Sequence, residues 1–472
     1  CFDAIVGNPP YVTTEDIHAL IPAPEFDIYK KKYKTTHKQF DKYFIFIERA
    51  LQKVKEGGYV CYIVPNKFFK IGAGAKLRDY IAREKYLVSL DDFGAAQLFE
   101  DKTIYSSIIL MQKKEQDSFK YTNVDSANNL WLGKPTDSIE LSSSLLDELP
   151  WKLTSDFELL EILKKIESVS APLNLFAEIF NGIQTSAERP QPIYWFSGDE
   201  IIKENEDTIT VKKEDKVYSI EKKILKPYFK PTKKAEKGLT TYNILSTDKK
   251  IIFPYDGEGH LIPIDTMKSD YPGAYAYLLD YYDRLVPKCV SDEGIRDVPN
   301  ATADTWYQYG RTQALTAFID TPKLIVKVMA KDNPMYAMDK ADMLIASGGT
   351  AGYCAVAQKS GSPYELEYIQ AWLANSYTEK IFNIVGSDFE GGFISRGTFV
   401  LSSLPFVNLD FDDPKQKTIY DRVVEASREV YGINEKLSKK PSKQVETTLV
   451  RQKTALIKEI DELISHVYRL EF

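Results

Sequence analysis

Residues 3–11 read DAIVGNPPY, an apolar run that stops at a glycine, an asparagine, two prolines and a tyrosine. FDAIVG, residues 2–7, has the composition of a short strand with no wet face, the kind found inside parallel sheets. In open α/β sheets, ligands bind beyond the carboxyl ends of the strands, which is where Asn8 to Tyr11 fall. Pro9 and Pro10 have fixed φ angles and no N–H, so the backbone carbonyls here can face outward, and Asn8 adds a side-chain carbonyl. Two converging acceptors suit a substrate –NH2 group, which has two hydrogens to give. Tyr11 adds a flat face on which an aromatic base can stack. A turn that uses prolines only as punctuation would read the same way, so the flanking sequence has to decide.

Phe40, Tyr43, Phe44, Ile47, Ala50, Leu51 and Val54 recur at helical spacing, and Gly57-Gly58 is expected to end that helix. YVCYIVP (59–65) then reads as a buried strand, followed by a helix at Ala75 to Glu84 and strands at LVSLDDF (87–93) and YSSIILMQ (105–112). The order β-α-β-α-β-β predicts an α/β fold over residues 1–118: a largely parallel sheet with helices on both faces and an antiparallel pair at its end. Residues 119–150 lose periodicity and read as a linker or peripheral segment. Residues 151–408 open with a helix at Phe157 to Ile166 and continue with many tyrosines, short runs such as KLIVKVMA (323–330) and YCAVAQ (353–358), and the glycine loops ASGGTAG (346–352) and EGGF (390–393), an α+β pattern. In the tail, 409–472, Ile419, Val423, Val430 and Leu437 mark one helical stripe. Leu449, Leu456, Ile460, Leu463 and Val467 mark another, with Pro441 between them, which predicts a helical hairpin.

At 472 residues and 43% apolar composition, the length suits about two to four domains. The four cysteines (Cys1, Cys61, Cys289, Cys354) form no close pair and there are only four histidines, so neither a disulfide framework nor a metal site is expected. No apolar stretch approaches the ~20 residues of a membrane span and there is no charged-then-apolar leader, so a reducing cytoplasm is expected. A net charge of −7 argues against a surface that binds nucleic acid all over. Yet KKKYKTTHK (30–38) holds five lysines and no acid, and residues 212–237 hold ten lysines against four acids. Each run is either a solvated face or a basic groove. The chain lacks an initiator Met and opens on a strand expected to be buried, which reads as a fragment of a longer protein.

Asn8-Pro9-Pro10-Tyr11 is similar to motif IV of the S-adenosylmethionine-dependent amino-methyltransferases, and the stretches after it keep that family's order. FDKYFIFIERAL (40–51) resembles motif V, GGYVCYIVPNKFF (57–69) motif VI, and residues 76–113 the segment ending in motif VIII. Further on, FAEIFNGIQTS (176–186), WYQYGR (306–311), PKLIVKV (322–328) and LSSLPF (401–406) resemble a TaqI-like target-recognition domain, and KEIDELISHVYRL (458–470) resembles the helical end of type IIG restriction-modification enzymes.

The resemblance implies the C-terminal part of a Rossmann-like methyltransferase sheet, then an α+β target-recognition domain and a helical tail. It implies a site-specific adenine-N6 methyltransferase acting on double-stranded DNA. Asn8 and the Pro9 carbonyl become acceptors for adenine N6 within the rigid turn that Pro10 completes. Tyr11 becomes the stacking platform for a base flipped out of the duplex, because N6 is inaccessible in a stacked, paired adenine. Phe99 matches a second aromatic against that base, and Phe46 an aromatic near the cofactor's adenine; core packing is the alternative for both. Methyl transfer needs alignment more than a strong base, so no general base is nominated.

The glycine motif and acidic residues that hold S-adenosylmethionine have no counterpart, because the chain begins at the family's fourth strand. They are expected in a missing N-terminal half, with a nuclease in type IIG enzymes, and this chain alone is expected to bind the cofactor poorly. IGAGAKLR (71–78) reads as a loop at a helix start rather than a phosphate cradle. Tyr29 to Lys38 is expected as a basic loop on the substrate side, its Lys30, Lys31, Lys32, Lys34 and Lys38 touching phosphates, with Arg311 and Lys327 as further groove contacts. Two other readings stand beside this one. Release-factor glutamine methyltransferases share the NPPY signature, although the long chain after it favours a polymer substrate. The chain can also be a DNA-binding specificity module that is inactive alone.

Overall fold

The apolar run before the Asn-Pro-Pro-Tyr turn is strand β1 (Phe2–Gly7), and it pairs in parallel with β2 (Val54–Pro65), Ala4 opposite Tyr59 and Gly7 opposite Tyr62. A parallel pair needs a crossover, made here by helices α1 (Ala23–Lys32) and α2 (Lys42–Lys53). In this computed structural model the described residues are 2–14, 16, 23–99, 104–124, 131–132, 138–230, 240–311, 314–318, 321–331, 334–340, 343–347, 352–389 and 391–472. Most of the ASGGTAG loop, the first residue of EGGF and the lysines at 233, 234 and 237 lie outside them. The chain divides into two units, Cys1–Glu167 with Glu379–Ser395, and Ser168–Thr378 with Arg396–Phe472.

The first unit holds a six-stranded sheet. After α3 (Ala75–Arg83) come β3 (Leu87–Gln97), β4 (Tyr105–Gln112), β5 (Ser118–Asn123) and β6 (Ser138–Ser142), in the spatial order β1-β2-β4-β3-β5-β6. The expectation of a largely parallel sheet is corrected to a mixed one. Only β1/β2 and β3/β5 run parallel, while β2/β4, β3/β4 and β5/β6 are antiparallel. The connection from β3 to β4 is too short for a crossover, so β4 turns back and slots between β2 and β3. The segment read as a linker also supplies β6 and nearly all of β5, which extend the sheet; both alternate, with Phe119, Tyr121, Ile139 and Leu141 buried, over runs too short to stand out among the surrounding Asn, Ser and Asp.

Two further expectations change. β1 is not dry: Phe2 and Val6 are 58% and 78% exposed, because β1 sits at the sheet edge with β2 as its one partner among the described residues. Gly57 and Gly58 do not cap α2. Val54 is already extended, and both glycines lie inside β2 where the register against β1 shifts. The apolar face of α2 is as expected from its spacing, with Tyr43, Phe44, Ile47, Ala50 and Leu51 buried against β2. Trp151 closes this core, stacking on Phe69 at 5.7 Å and 19°.

Gly74, in the GAG of IGAGAKLR, is a packing glycine. A Cβ there would meet the Phe68 carbonyl oxygen at 2.3 Å and Nη1 of buried Arg78 at 2.8 Å. Arg78 in turn donates to the carbonyls of Phe68, Ile71 and Glu148, tying three loops together. Gly74→Ala is therefore expected to lower stability by about 1–3 kcal/mol, read as the shift in urea midpoint; an unchanged midpoint would show that the loop yields freely.

In the second unit, β7 (Ala177–Asn181), β8 (Lys323–Lys327), β9 (Tyr336–Asp339) and β10 (Tyr353–Gln358) form an antiparallel sheet in the order β9-β8-β10-β7. Helices α4 (Pro414–Ser438) and α5 (Lys443–Arg469) pack on each other and are clamped by Arg422, which reaches both Glu459 oxygens at 2.6 and 2.9 Å. Their stripes point inward, with Val423, Val430, Leu449, Ile460 and Val467 buried.

Candidate active site

At the carboxyl end of β1 the chain leaves the sheet edge as Asn8-Pro9-Pro10-Tyr11. Pro9 is buried, whereas Asn8 and Pro10 are exposed. The Asn8 amide takes no partner among the described residues, which leaves its carbonyl oxygen available at the strand end. The turn is fastened on its far side. Tyr11 Oη donates to the Ile63 carbonyl at 2.9 Å and its ring meets Tyr43 edge-on at 6.2 Å. The Lys42 amide donates to Val12 O, and Thr14 Oγ1 to Phe40 O at 2.6 Å. Desolvation pushes the Tyr11 hydroxyl up to about 12, so at neutral pH it stays a donor.

Tyr11 lines a pocket of about 210 Å³ together with Thr13, Asp41, Pro65, Asn66, Lys67, Ile104 and Tyr105. Asp41, buried at the start of α2, pairs with Lys67 at 2.7 Å. Burial raises its carboxyl above the usual range, and Lys67 opposes that rise. Asn66 follows β2 and donates from Nδ2 to Asp92 Oδ1 at 2.8 Å and to the Gly94 carbonyl at 3.1 Å. Asp41, Asn66, Lys67 and Tyr105 were not singled out from the sequence. Asn66 and Lys67 stand inside the quoted PNKFF, but only the close of β2 beside β1 brings them to Tyr11.

Phe99 is half-buried just past β3 and is not among the residues lining this pocket. Phe46 is neither core nor pocket lining: it is 39% exposed on α2, whose neighbouring Ile45 and Ile47 are buried. A core role for Phe46, the alternative weighed above, is thereby removed. At Gly74 the turn is closed by Arg78 and the Phe68 carbonyl, which suits a loop at a helix start.

The basic segment is not the loop that was expected. Residues up to Lys32 form α1, which carries Glu25 in its first turn and Lys30, Lys31 and Lys32 in its last, the arrangement that complements a helix dipole. Lys30, Lys31, Lys32, Lys34 and Lys38 are all exposed, and none forms an ion pair among the described residues. Lys30 lies 4.6 Å over the Phe26 ring, and Lys38 lies beside Gly72. Burial, with Lys38 and Lys76 close by, holds the His37 imidazole below its usual range. The result is a positive surface with little internal compensation.

In the second unit Arg311 is exposed but pairs with Asp297 at 3.2 Å, and Lys327 ends β8, half-buried. The lysines of 212–230 are more committed than their run suggests. Lys213 is buried against Glu200 at 2.6 Å, Lys230 pairs with Glu188, and both lie within 6 Å of the Trp195 ring, at 5.9 and 5.4 Å.

Residues 1–99 match the sequence model of the Eco57I restriction-modification methylase family. Over 433 residues, 89% of this chain and 42% of the relative, the chain is 37% identical to the type II restriction enzyme and methyltransferase RM.Eco57I of Escherichia coli. It is 34% identical to the type II methyltransferase M.PaeR7I of Pseudomonas aeruginosa over 114 residues, 24% of this chain and 19% of that protein. The chain thus spans less than half the length of either curated relative. Among solved structures, the type IIL restriction-modification enzyme MmeI in complex with DNA superposes with a TM-score of 0.57 at 11% identity, over 99% of this chain and 54% of that one, which is a likeness of fold.

Proposed function

We propose that this chain is the catalytic-turn and target-recognition portion of a restriction-modification enzyme that methylates adenine N6 at a specific site in double-stranded DNA. The observation that carries the reading is Asn8: an exposed amide without a partner among the described residues, at the carboxyl end of a strand and in the same turn as Tyr11, which lines a pocket whose volume suits one heteroaromatic base. The likeness to restriction-modification methyltransferases supports it from a second direction.

In this reading Asn8 Oδ1 and the Pro9 carbonyl accept the two N6 hydrogens and draw the nitrogen toward a geometry with an available lone pair. Tyr11, whose edge and hydroxyl are already anchored, contributes a fixed wall to the flipped base, and Phe99 contributes a second aromatic contact from the loop after β3. S-adenosylmethionine is the proposed methyl donor. Of the described residues, Phe46 is assigned to it. The restriction-modification relatives favour DNA over a glutamine side chain as substrate. The test is to express the full-length protein and map methylated bases in the host's plasmid DNA. N6-methyladenine at one recurring sequence is expected; its absence, or methylation of a protein instead, would overturn the proposal.

The α1 surface is the proposed contact to phosphates beside the flipped base. The triple charge reversal Lys30→Glu, Lys31→Glu and Lys34→Glu is expected to weaken duplex binding at least about tenfold and to lower the slope of log affinity against log salt by about 2–3, at roughly 0.9 per lost phosphate contact. An unaltered salt slope would return these lysines to the role of a solvated helix end.

A further inference from the structure

We propose that Asn66 is a further acceptor for the base's exocyclic amine, with its amide oxygen aimed into the Tyr11 pocket by Asp92 and Gly94. The inference rests on the adenine reading and adds to it a residue that selects an amino base over an oxo base.

Asn66 is only 7% exposed, yet it lines the pocket. Both hydrogens of its Nδ2 are taken, one by Asp92 Oδ1 at 2.8 Å and one by the Gly94 carbonyl at 3.1 Å. Turning the amide over would set its oxygen against two oxygens, so the network assigns which atom is nitrogen. Oδ1 is what remains, and no donor among the described residues reaches it. Asp92 is itself held, because the same Oδ1 accepts from the Gly94 amide at 3.0 Å. Burial pushes the Asp92 carboxyl up, while Asn66, Lys70 and the Gly94 amide act against the rise. With two N–H donors on Oδ1, that atom stays an acceptor in either protonation state.

Gly94 serves both partners, its N–H to Asp92 and its carbonyl to Asn66, because its φ is +53°, within the stretch where β3 loses register against β4. Glycine takes that conformation without a Cβ penalty. Asp92 Oδ1, the Gly94 amide and carbonyl, and both Asn66 Nδ2 hydrogens are thus spent on one another, and of the Asn66 side chain only Oδ1 is left without a partner among the described residues. An acceptor at the pocket wall repels a base that presents a carbonyl there and attracts one that presents N–H. It can share either hydrogen of the amine with Asn8 or Pro9 in a three-centre bond.

Asp92 is a positioning residue here, and the test separates its role from simple packing. The full-length protein and its Asn66→Leu, Asn66→Ser, Asp92→Asn and Asn8→Ala variants are compared for kcat, KM for target DNA, thermal midpoint, and relative binding of duplexes with adenine or hypoxanthine at the target position. Asn66→Leu is expected to lower kcat at least about tenfold, leave KM for DNA unchanged, and reduce the preference for adenine over hypoxanthine. A further variant, Asp92→Leu, which removes the acceptor that holds Asn66 Nδ2, should lower kcat and adenine preference as Asn66→Leu does, and Asp92→Asn, whose Oδ1 can still accept both N–H groups, should restore them. Should Asn66→Leu not fold, Asn66→Ser decides in the same way, because its hydroxyl can donate to Asp92 while withdrawing the pocket oxygen. Wild-type kcat and preference in the Asn66 variants, with Asn8→Ala inactive, would overturn this inference and leave the adenine reading standing. An active Asn8→Ala variant, or DNA without N6-methyladenine, would overturn the reading beneath it.

Discussion

Asn8→Ala in the full-length protein is expected to cut adenine methylation by about a hundredfold or more, the scale of loss when a reacting group is left unoriented. Duplex affinity should stay nearly unchanged. Asn8 is exposed and unpartnered among the described residues, so its removal leaves no buried group unsatisfied and the fold should not notice. In the proposed reaction it touches a single base, whereas duplex binding draws on many phosphate contacts. The measurement is a methylation rate on plasmid DNA beside a binding isotherm on the same duplex. Rate and affinity falling together would make Asn8 a structural residue of the turn and remove the main support for the proposed function.

The largest stability loss is expected at Arg296, which no functional motif marks. Arg296 is 3% exposed and its guanidinium pairs with no carboxylate among the described residues. Nη1 donates to the Leu285 and Trp306 carbonyls at 2.8 and 3.3 Å and to Tyr194 Oη at 3.4 Å, and Nη2 to the Thr185 and Gln308 carbonyls at 2.8 and 2.6 Å. Four segments distant in sequence or in loop order are thus joined through one planar fork. Arg296→Met keeps much of the volume but strands these acceptors, at about 1–3 kcal/mol for each that water cannot reach. A total loss above about 4 kcal/mol is expected, read as a shifted urea midpoint or as failure to recover folded protein. Arg284→Met is the comparison: that side chain is partly exposed, with one carbonyl acceptor at 2.6 Å and a loose pairing to Glu214 at 3.6 Å, and should cost less than about 1 kcal/mol. Equal losses at the two positions would mean that the buried network is not what stabilises this unit.

Legibility in the sequence followed the distance over which each feature is encoded. The amphipathic spacing of α2 and the continuous apolar run of β2 are local, and both elements lie close to where the pattern places them. The Asn8–Tyr11 turn is four consecutive residues and could be read as a unit. Gly57-Gly58 has the composition of a helix cap, and only the register of β2 against β1 shows that the pair belongs to the strand. A lysine run says nothing about backbone, and the helix that carries Lys30 to Lys32 is supported by tertiary packing of Phe26 on Phe40 at 5.5 Å. Lys213 and Lys230 read as open charge in the sequence and are paired in the fold.

The α/β character of the N-terminal part and the strand that ends in Asn-Pro-Pro-Tyr are legible in the chain alone, since both depend on residue types at short spacing. The sheet order is set in the assembled fold, because strand direction depends on which segments meet and not on their composition. The same holds for the pocket. Tyr11, Asp41, Asn66 and Tyr105 come from a turn, a helix start and two strand ends separated by up to ninety-four positions, and Asn66 acquires a defined direction only when Asp92 and Gly94 take both of its hydrogens. Hydrogen-bond saturation is a property of the assembled neighbourhood, so no single stretch of the chain could have announced it.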